Sequence, residues 1–320
     1  MDTQITLKNK SLSRKTIKVK ESTNSGTKIK MSGGEKIYLS VVYIIAGLFC
    51  IFCLYPFAII LGSSFETEAN FARYGFSIIP KQFTLEAYRV VLGDGQIYRA
   101  YGVTIFTTIV GTIISMIMTI LMAYPLSLKK LRYRNIITFF AYFTMLFSGG
   151  LVPSYLLISR TLGMKDSIWV LIIPVAFNTW NMFLMRNFFA GLPVELSESA
   201  NIDGAGDFTI LLKIILPISK PGLATIGLFY ALNYWNQWFN AMLYIEDNRL
   251  IPLQYLLMRM LRNMDAMKEM ARTVGMAVGE VPANSLRMAT TVVVIGPIVL
   301  LYPYAQKYFT SGLTVGAIKG

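Results

Sequence analysis

This chain predicts an all-α membrane protein with six transmembrane helices, and three observations carry that reading: an apolar composition, charge-free windows and basic short loops. Of 320 residues, 54% are hydrophobic, and the mean hydropathy is +0.53, far too apolar for an ordinary soluble domain. Six windows lack Asp, Glu, Lys and Arg: 37–65, 100–128, 135–159, 167–185, 221–244 and 288–306. Each holds a helix of about 20 residues, the length a bilayer requires. The short loops set the orientation. Lys8, Lys10, Arg14, Lys15, Lys18, Lys20, Lys28, Lys30 and Lys36 precede the first span against only Asp2, Glu21 and Glu35, and Lys129, Lys130, Arg132 and Arg134 follow the second with no acid. Both stretches belong in the cytoplasm. Six spans then put both termini and the loop 192–221 on that side. These topogenic runs account for most of the +13 net charge. No face combining basic and aromatic residues is assembled, so the charge does not call for nucleic acid.

Residues 1–36 read as a disordered basic tail that fixes topology and can touch anionic membrane lipid. The tail is too long and too charged for a cleavable signal. Residues 37–309 form the membrane domain, with spans at about 38–61, 103–127, 136–158, 167–189, 222–245 and 289–309. Cys50 and Cys53 in the first span spell C-x-x-C, but they share one face of an apolar helix in a chain without histidine. They read as packing residues, not as a metal or redox site. In the external loop 62–99, Pro80, Phe83 and Tyr88 predict ordered structure that could meet a partner outside the cell. Gly111 and Ser115 make a small-residue seam on the second span. Ser148, Gly149, Gly150 and Pro153 interrupt the third, either as a pathway element or as a packing kink.

Polar side chains mark the fourth and fifth spans. Asn178 and Asn181 flank Trp180, while Tyr230, Asn233, Tyr234 and Gln237 fall within one arc of about 100° on a helix. Buried amides in hydrocarbon need partners, and two kinds suit them. One is the neighbouring helices; the other is the hydroxyls of a polar solute on an aromatic-lined route. Trp235 and Trp238 point away from the arc. In the external segment 246–287, Leu253, Leu256, Leu257, Met260, Met264, Met267, Ala271 and Val274 recur at helical spacing, predicting an amphipathic helix that rests on the membrane or the bundle. A loop from 275 to 284 follows, then the sixth span and a tail, 310–320.

The loop 192–221 is polar, acidic at its start and broken by glycines, yet it lies between two apolar runs. Pro193 suits a first helical position and Glu195 and Glu198 a first turn, so a helix to about Asn201 is expected. Asp203 can cap the next helix, and Gly204, Ala205 and Gly206 leave a corner that another backbone could approach. Phe208, Leu211, Leu212 and Ile215 give the second helix an apolar face that Pro217 ends.

Glu198, Ser199, Ala200, Gly204, Ile214, Leu216 and Pro217 resemble, in order and spacing, the EAA motif of the permease subunits of bacterial ABC importers, with Ser199 in place of the usual second alanine. Asp203-Gly204-Ala205, Pro221 and the C-terminal run from Gly312 to Gly320 are similar to the carbohydrate-importer branch, of the maltose-importer kind. The similarity covers nearly all of the chain after Lys36. It implies a type I importer permease fold, in which Glu198, Ala200, Asp203, Gly204, Ala205, Phe208, Ile214 and Pro217 couple to an ATPase. It also implies partners: a second, different permease subunit, an ABC ATPase dimer that uses ATP and Mg, and an extracytoplasmic sugar-binding protein approached by the loop 275–284. This chain itself is expected to bind no cofactor or metal and to catalyse nothing. Ser32-Gly33-Gly34-Glu35 mimics an ABC ATPase signature, but no G-x-x-x-x-G-K-[ST] phosphate loop occurs in the sequence, so hydrolysis belongs to another subunit. Two other classes fit the sequence less well. An ion-coupled secondary transporter commonly keeps an ionisable group at mid-membrane, which these spans lack. A sensor without transport would leave the spaced loop motif unexplained.

Overall fold

The structure, a computed structural model, describes residues 33–93, 95–274 and 284–299. The basic tail before residue 33, the loop 275–283, the end of the sixth predicted span and the C-terminal tail lie outside the described residues. Contacts divide the chain into two units, Met1–Cys53 and Leu54–Gly320. The described part of the first unit begins helix α1 (Gly33–Ser63), whose apolar side chains there are exposed. Cys50 and Cys53 are free and exposed. The packing expected of them is therefore not met among the described residues.

In the second unit the described residues are almost wholly helical, with one isolated bridge, Glu66 to Phe83. Short helices α2 (Glu68–Tyr74) and α3 (Glu86–Gly93) follow α1, then the 33-residue α4 (Gly95–Ser127). At 1.5 Å per residue α4 runs about 50 Å, longer than a bilayer's hydrocarbon core. The helix forms because nothing in its apolar run breaks it until Pro125, one turn from its end. Thr104, Thr107, Gly111, Ser115, Thr119 and Ala123 recur every three or four residues along its buried side. That stripe of small residues lets neighbouring helices come close, which matters because burial from lipid brings little hydrophobic gain and packing decides the contact.

Helices α5 (Arg134–Leu146) and α6 (Leu151–Thr161) are bent by 106°. Gly150 lies between them with φ +88°, a conformation glycine adopts freely. The interruption predicted there is thus a sharp change of direction. The next predicted span begins as two 3-10 turns, Ile168–Leu171 and Ile173–Val175. It becomes α7 (Thr179–Ala190) after a 51° bend. Helix α8 (Glu195–Ile202) leads to α9 (Asp207–Ile218), which meets α10 (Lys220–Trp235) at 85°. The expected fifth span stops at Trp235, and α11 (Phe239–Tyr244) resumes it. Helices α12 (Leu253–Val274) and α13 (Asn284–Val299) complete the described chain. Among the described residues only α1 and α4 are long and apolar enough to cross a bilayer alone, and three bent pairs pass when taken together.

Two apolar clusters lie along α4. One gathers Ile97, Ala100 and Val103 with Val170, Leu171, Trp235, Tyr244, Leu253, Leu256 and Val294. The other gathers Ala123, Tyr124 and Leu126 with Met182, Met185, Ile210, Leu211, Ile215, Tyr230 and Tyr234. Helix α12 rests on the first through Leu253 and Leu256, so of its two expected supports the bundle is the one observed. Its N-terminus is held by α4, because Leu253 N donates to Thr104 Oγ1 at 2.8 Å.

Candidate functional site

The loop after α7 folds as a helix, a glycine corner and a second helix. Helix α8 starts at Glu195, two residues after the proline expected to open it, with Glu195 and Glu198 in its first turn, where carboxylates suit the exposed amides. Its end is a Schellman motif: Ala205 N donates to Ala200 O at 2.9 Å and Gly204 N to Asn201 O at 3.1 Å. Gly204 holds φ +80°, so the turn itself requires glycine there. A side chain at Gly204 would meet open space. Asp203 is the C-cap of α8, not the cap of the following helix as its sequence context suggested. The Schellman turn uses the residue before Gly204 to end the first helix, and Gly206 begins the second.

Within α9 a π-turn, Leu211–Ile215, directly precedes Pro217. Leu216 N donates to Leu211 O, and Pro217 has no N–H to give, so the widened turn fits the residue that cannot continue the ladder. The expected apolar face is divided. Leu211 and Ile215, with Ile210, are buried in the second cluster. Phe208 and Leu212 stay exposed, as does Ile202 at 87%. Of the residues assigned to coupling, Glu198, Asp203, Gly204, Phe208 and Pro217 are exposed, Ala205 and Ile214 are half-buried, and Ala200 is buried beneath the turn. Lys130 pairs with Asp207 at 2.7 Å, tying α9 to the basic connection between α4 and α5. Arg134 and Arg186 each donate Nε to Leu126 O, at 2.9 and 3.0 Å.

Tyr230 and Tyr234 are 1% exposed and face α4. Tyr234 Oη lies 3.0 Å from Ser115 Oγ and donates to Ile172 O at 3.1 Å. Tyr230 Oη lies 2.7 Å from Thr119 Oγ1 and accepts from Asn178 N at 3.2 Å. These two hydroxyls satisfy backbone groups that the non-α start of the fourth span leaves free, a need that hydrocarbon makes acute. The Gly111 seam exists for the same reason: a Cβ there would stand 2.5 Å from the Tyr234 ring. Asn178 is the N-cap of α7, its Oδ1 accepting from Asn181 N at 3.0 Å. Asn181 is buried, whereas Asn178 and Asn233 are exposed and Gln237 is half-buried. The predicted arc therefore separates into two tyrosines that bond to neighbouring helices and two amides turned elsewhere.

Two carboxylates that sequence reading passed over organise the other end of α4. Glu66 is 2% exposed. It accepts from Lys81 N at 2.6 Å, Gln82 N at 3.1 Å and Asn70 Nδ2 at 3.1 Å. Burial pushes its pKa up, but these bonds outweigh it and hold the carboxyl below its ordinary value. Phe65 stacks between Phe83 and Tyr88, each 5.1 Å away. Glu68 caps α13 from a distance, accepting from Asn284 N and Ser285 N at 3.1 and 2.9 Å and from Ser285 Oγ at 2.8 Å. The Asn-Ser pair ahead of an apolar run was a legible cap signal; its carboxylate partner was 216 residues away.

No protein-family model matches the chain. Protein LplC of Bacillus subtilis strain 168 is 42% identical over 267 residues, 83% of this chain and 89% of that protein. The polygalacturonan/rhamnogalacturonan transport system permease protein YtcP of the same strain is 39% identical over 286 residues, 89% of this chain and 99% of that one. The chain belongs to the permease subunits of carbohydrate ABC importers. A crystal structure of a bacterial ABC transporter involved in the import of the acidic polysaccharide alginate has the same fold, with a TM-score of 0.75 and 32% identity over 87% of the permease and 99% of that chain. The permease is a membrane protein with an all-helical importer fold, and in this family ATP hydrolysis belongs to a separate subunit.

Proposed function

We propose that the permease crosses a bacterial plasma membrane six times, with both termini in the cytoplasm, and imports an oligosaccharide or sugar-polymer fragment delivered by an extracytoplasmic binding protein. The observation that carries this reading is the loop 192–221, where a rigid glycine corner joins two helices and leaves Phe208 and Ile202 open above a buried Leu211 and Ile215. An exposed apolar edge on an otherwise polar loop suits a partner protein. The partner is an ABC ATPase dimer that uses ATP and Mg, while this chain binds no cofactor. Glu198, Asp203, Gly204, Ala205 and Phe208 seat in the ATPase cleft, and Ala200, Ile214 and Pro217 hold the loop rigid beneath them. When ATP closes the ATPases, the loop moves as a lever and this subunit rocks against a second, different permease. Asn178, Asn233 and Gln237 line the sugar route in front of a wall built by Tyr230, Tyr234 and Asn181. The amides supply both donors and acceptors for sugar hydroxyls.

Mild solubilisation and capture of the tagged permease test the proposal, compared with a Glu198→Ala/Gly204→Leu variant. An ATPase and a second permease are expected with the wild type, and the ATPase alone is expected to be lost from the variant. A chain recovered without partners in both cases would overturn it.

A further inference from the structure

A cavity of about 520 Å³ opens where the end of α4, the basic connection to α5 and the first turn of α9 meet. Leu121, Leu128 and Leu211 line its apolar part, and Lys130, Arg132 and Asp207 stand at its polar part. We propose that this cavity holds one anionic phospholipid, with an acyl chain along Leu121 and Leu128 and the phosphate against Arg132.

Polarity rises along the cavity from the end of α4 into the connection that follows it. Leu121 lies on α4 and Leu128 just past its end, about 10 Å apart along the helix direction. Leu121 is 51% exposed on a helix long and apolar enough to cross a bilayer, so in the membrane placement proposed above an acyl chain can reach it. Just beyond Leu128 the chain turns basic. An amphiphile matches both halves, whereas a free anion has no use for the apolar half. The charge is also accounted for: Asp207 offsets Lys130 at 2.7 Å, while Arg132 is exposed and has no ion pair among the described residues. Arg132 stacks only near Tyr133, 5.6 Å from its ring. One cation therefore remains for a phosphate at the depth where lipid headgroups lie. Phe208 lines the same cavity, so the lipid would pack against its inner side and leave its outer side to the ATPase, joining the basic connection to α9. The inference rests on the membrane placement proposed above, but its readout is lipid retention, which is measured without transport.

The test uses the full chain, purified with its copurifying partners into nanodiscs of equal phosphatidylglycerol and phosphatidylcholine, then washed in detergent; retained lipid is counted by mass spectrometry. The wild type is expected to keep phosphatidylglycerol over phosphatidylcholine by about fivefold, the worth of one cation near a lipid surface. Parity is expected in Arg132→Gln and in Leu121→Trp, which fills the apolar part, with melting temperatures unchanged in both. Parity in the wild type, or a preference for phosphatidylglycerol kept at the wild-type level in either folded variant, overturns the proposal. Displacement by inorganic phosphate would make the cavity a simple anion site. Release of the lipid when the ATPase binds would assign the cavity to that partner. Either result also sinks the lipid assignment.

Discussion

At the α2 end of α4, Glu66 is 2% exposed and fully engaged with amides, and Glu68 caps a helix far away in the chain. At the other end, Glu198 and Asp203 are exposed and flank a corner whose only internal demand is one glycine. Acidic residues on two loops of one protein thus do opposite work. Those at the first end hold the chain to itself, because a carboxylate out of water must be satisfied by the protein. Those on the loop 192–221 are exposed, as the proposed contact with an ATPase requires. The difference teaches that a carboxylate's residue type says little until its burial is known.

That contrast can be broken or sharpened by substitution. The largest effect is expected at Gly62, where a Cβ would run into the carbonyl of Ile78. Gly62→Ala should prevent the α1–α2 junction from forming and cut the yield of folded permease severely, as judged by gel filtration in detergent. Normal yield would mean that the junction is looser than described. Next comes Glu66→Ala, which strands the Lys81 and Gln82 amides and should cost about 3 kcal/mol, read from thermal unfolding of the purified chain. Glu198→Ala, on an exposed site, should shift the same melting curve by less than about 0.5 kcal/mol while releasing the ATPase. Equal destabilisation by the two variants would dissolve the comparison.

The coupling corner permits a finer separation. Gly204→Leu carries backbone strain of about 1 kcal/mol because of its positive φ. Gly206 has φ −71° and open space around it, so Gly206→Leu adds no backbone strain and should cost only its weaker N-cap, about 0.5 kcal/mol. Loss of sugar uptake in both variants points to obstruction of a partner; loss only at Gly204 points to the turn. On the route, Asn233→Ala should lower uptake with the ATPase still attached, and parallel loss of assembly would make Asn233 a packing residue instead.

The smallest expected effect follows pH. Glu66 is held below its ordinary value in the folded chain, so its contribution is complete above the unfolded value of about 4.3 and is lost as pH falls through the lower folded one. The melting temperature of the wild type should therefore fall in that acidic window, and Glu66→Gln should flatten that part of the curve. An identical acid profile for the two proteins would remove Glu66 from the account.

Much of the architecture was legible because hydrocarbon imposes a simple rule: spans must be apolar and their breakers must stand out. The apolar runs of α1 and α4, the Gly111 and Ser115 seam, the break at Gly149 and Gly150 and the helix beginning at Leu253 all follow from residue type and spacing. The helix, glycine corner and second helix of the loop 192–221 were legible for another reason, since its order of glutamate, alanine, glycine and proline is itself a pattern. Less visible was the division of labour inside the arc on α10. Tyr230 and Tyr234 share a face with Asn233 and Gln237 by helical geometry, yet only the irregular turns before α7 provide the carbonyl of Ile172 and the amide of Asn178 that draw the two hydroxyls inward.

Sequence alone determined that this chain lives in a membrane and where its positive charge clusters, because each depends on local composition and short spacing. Tertiary structure decided which polar groups were already occupied. That Glu66 is satisfied within its own loop, that Glu68 caps α13 and that two tyrosines mend a broken span depend on backbone groups brought together by folding, and a free N–H or C=O leaves no trace in the order of side chains.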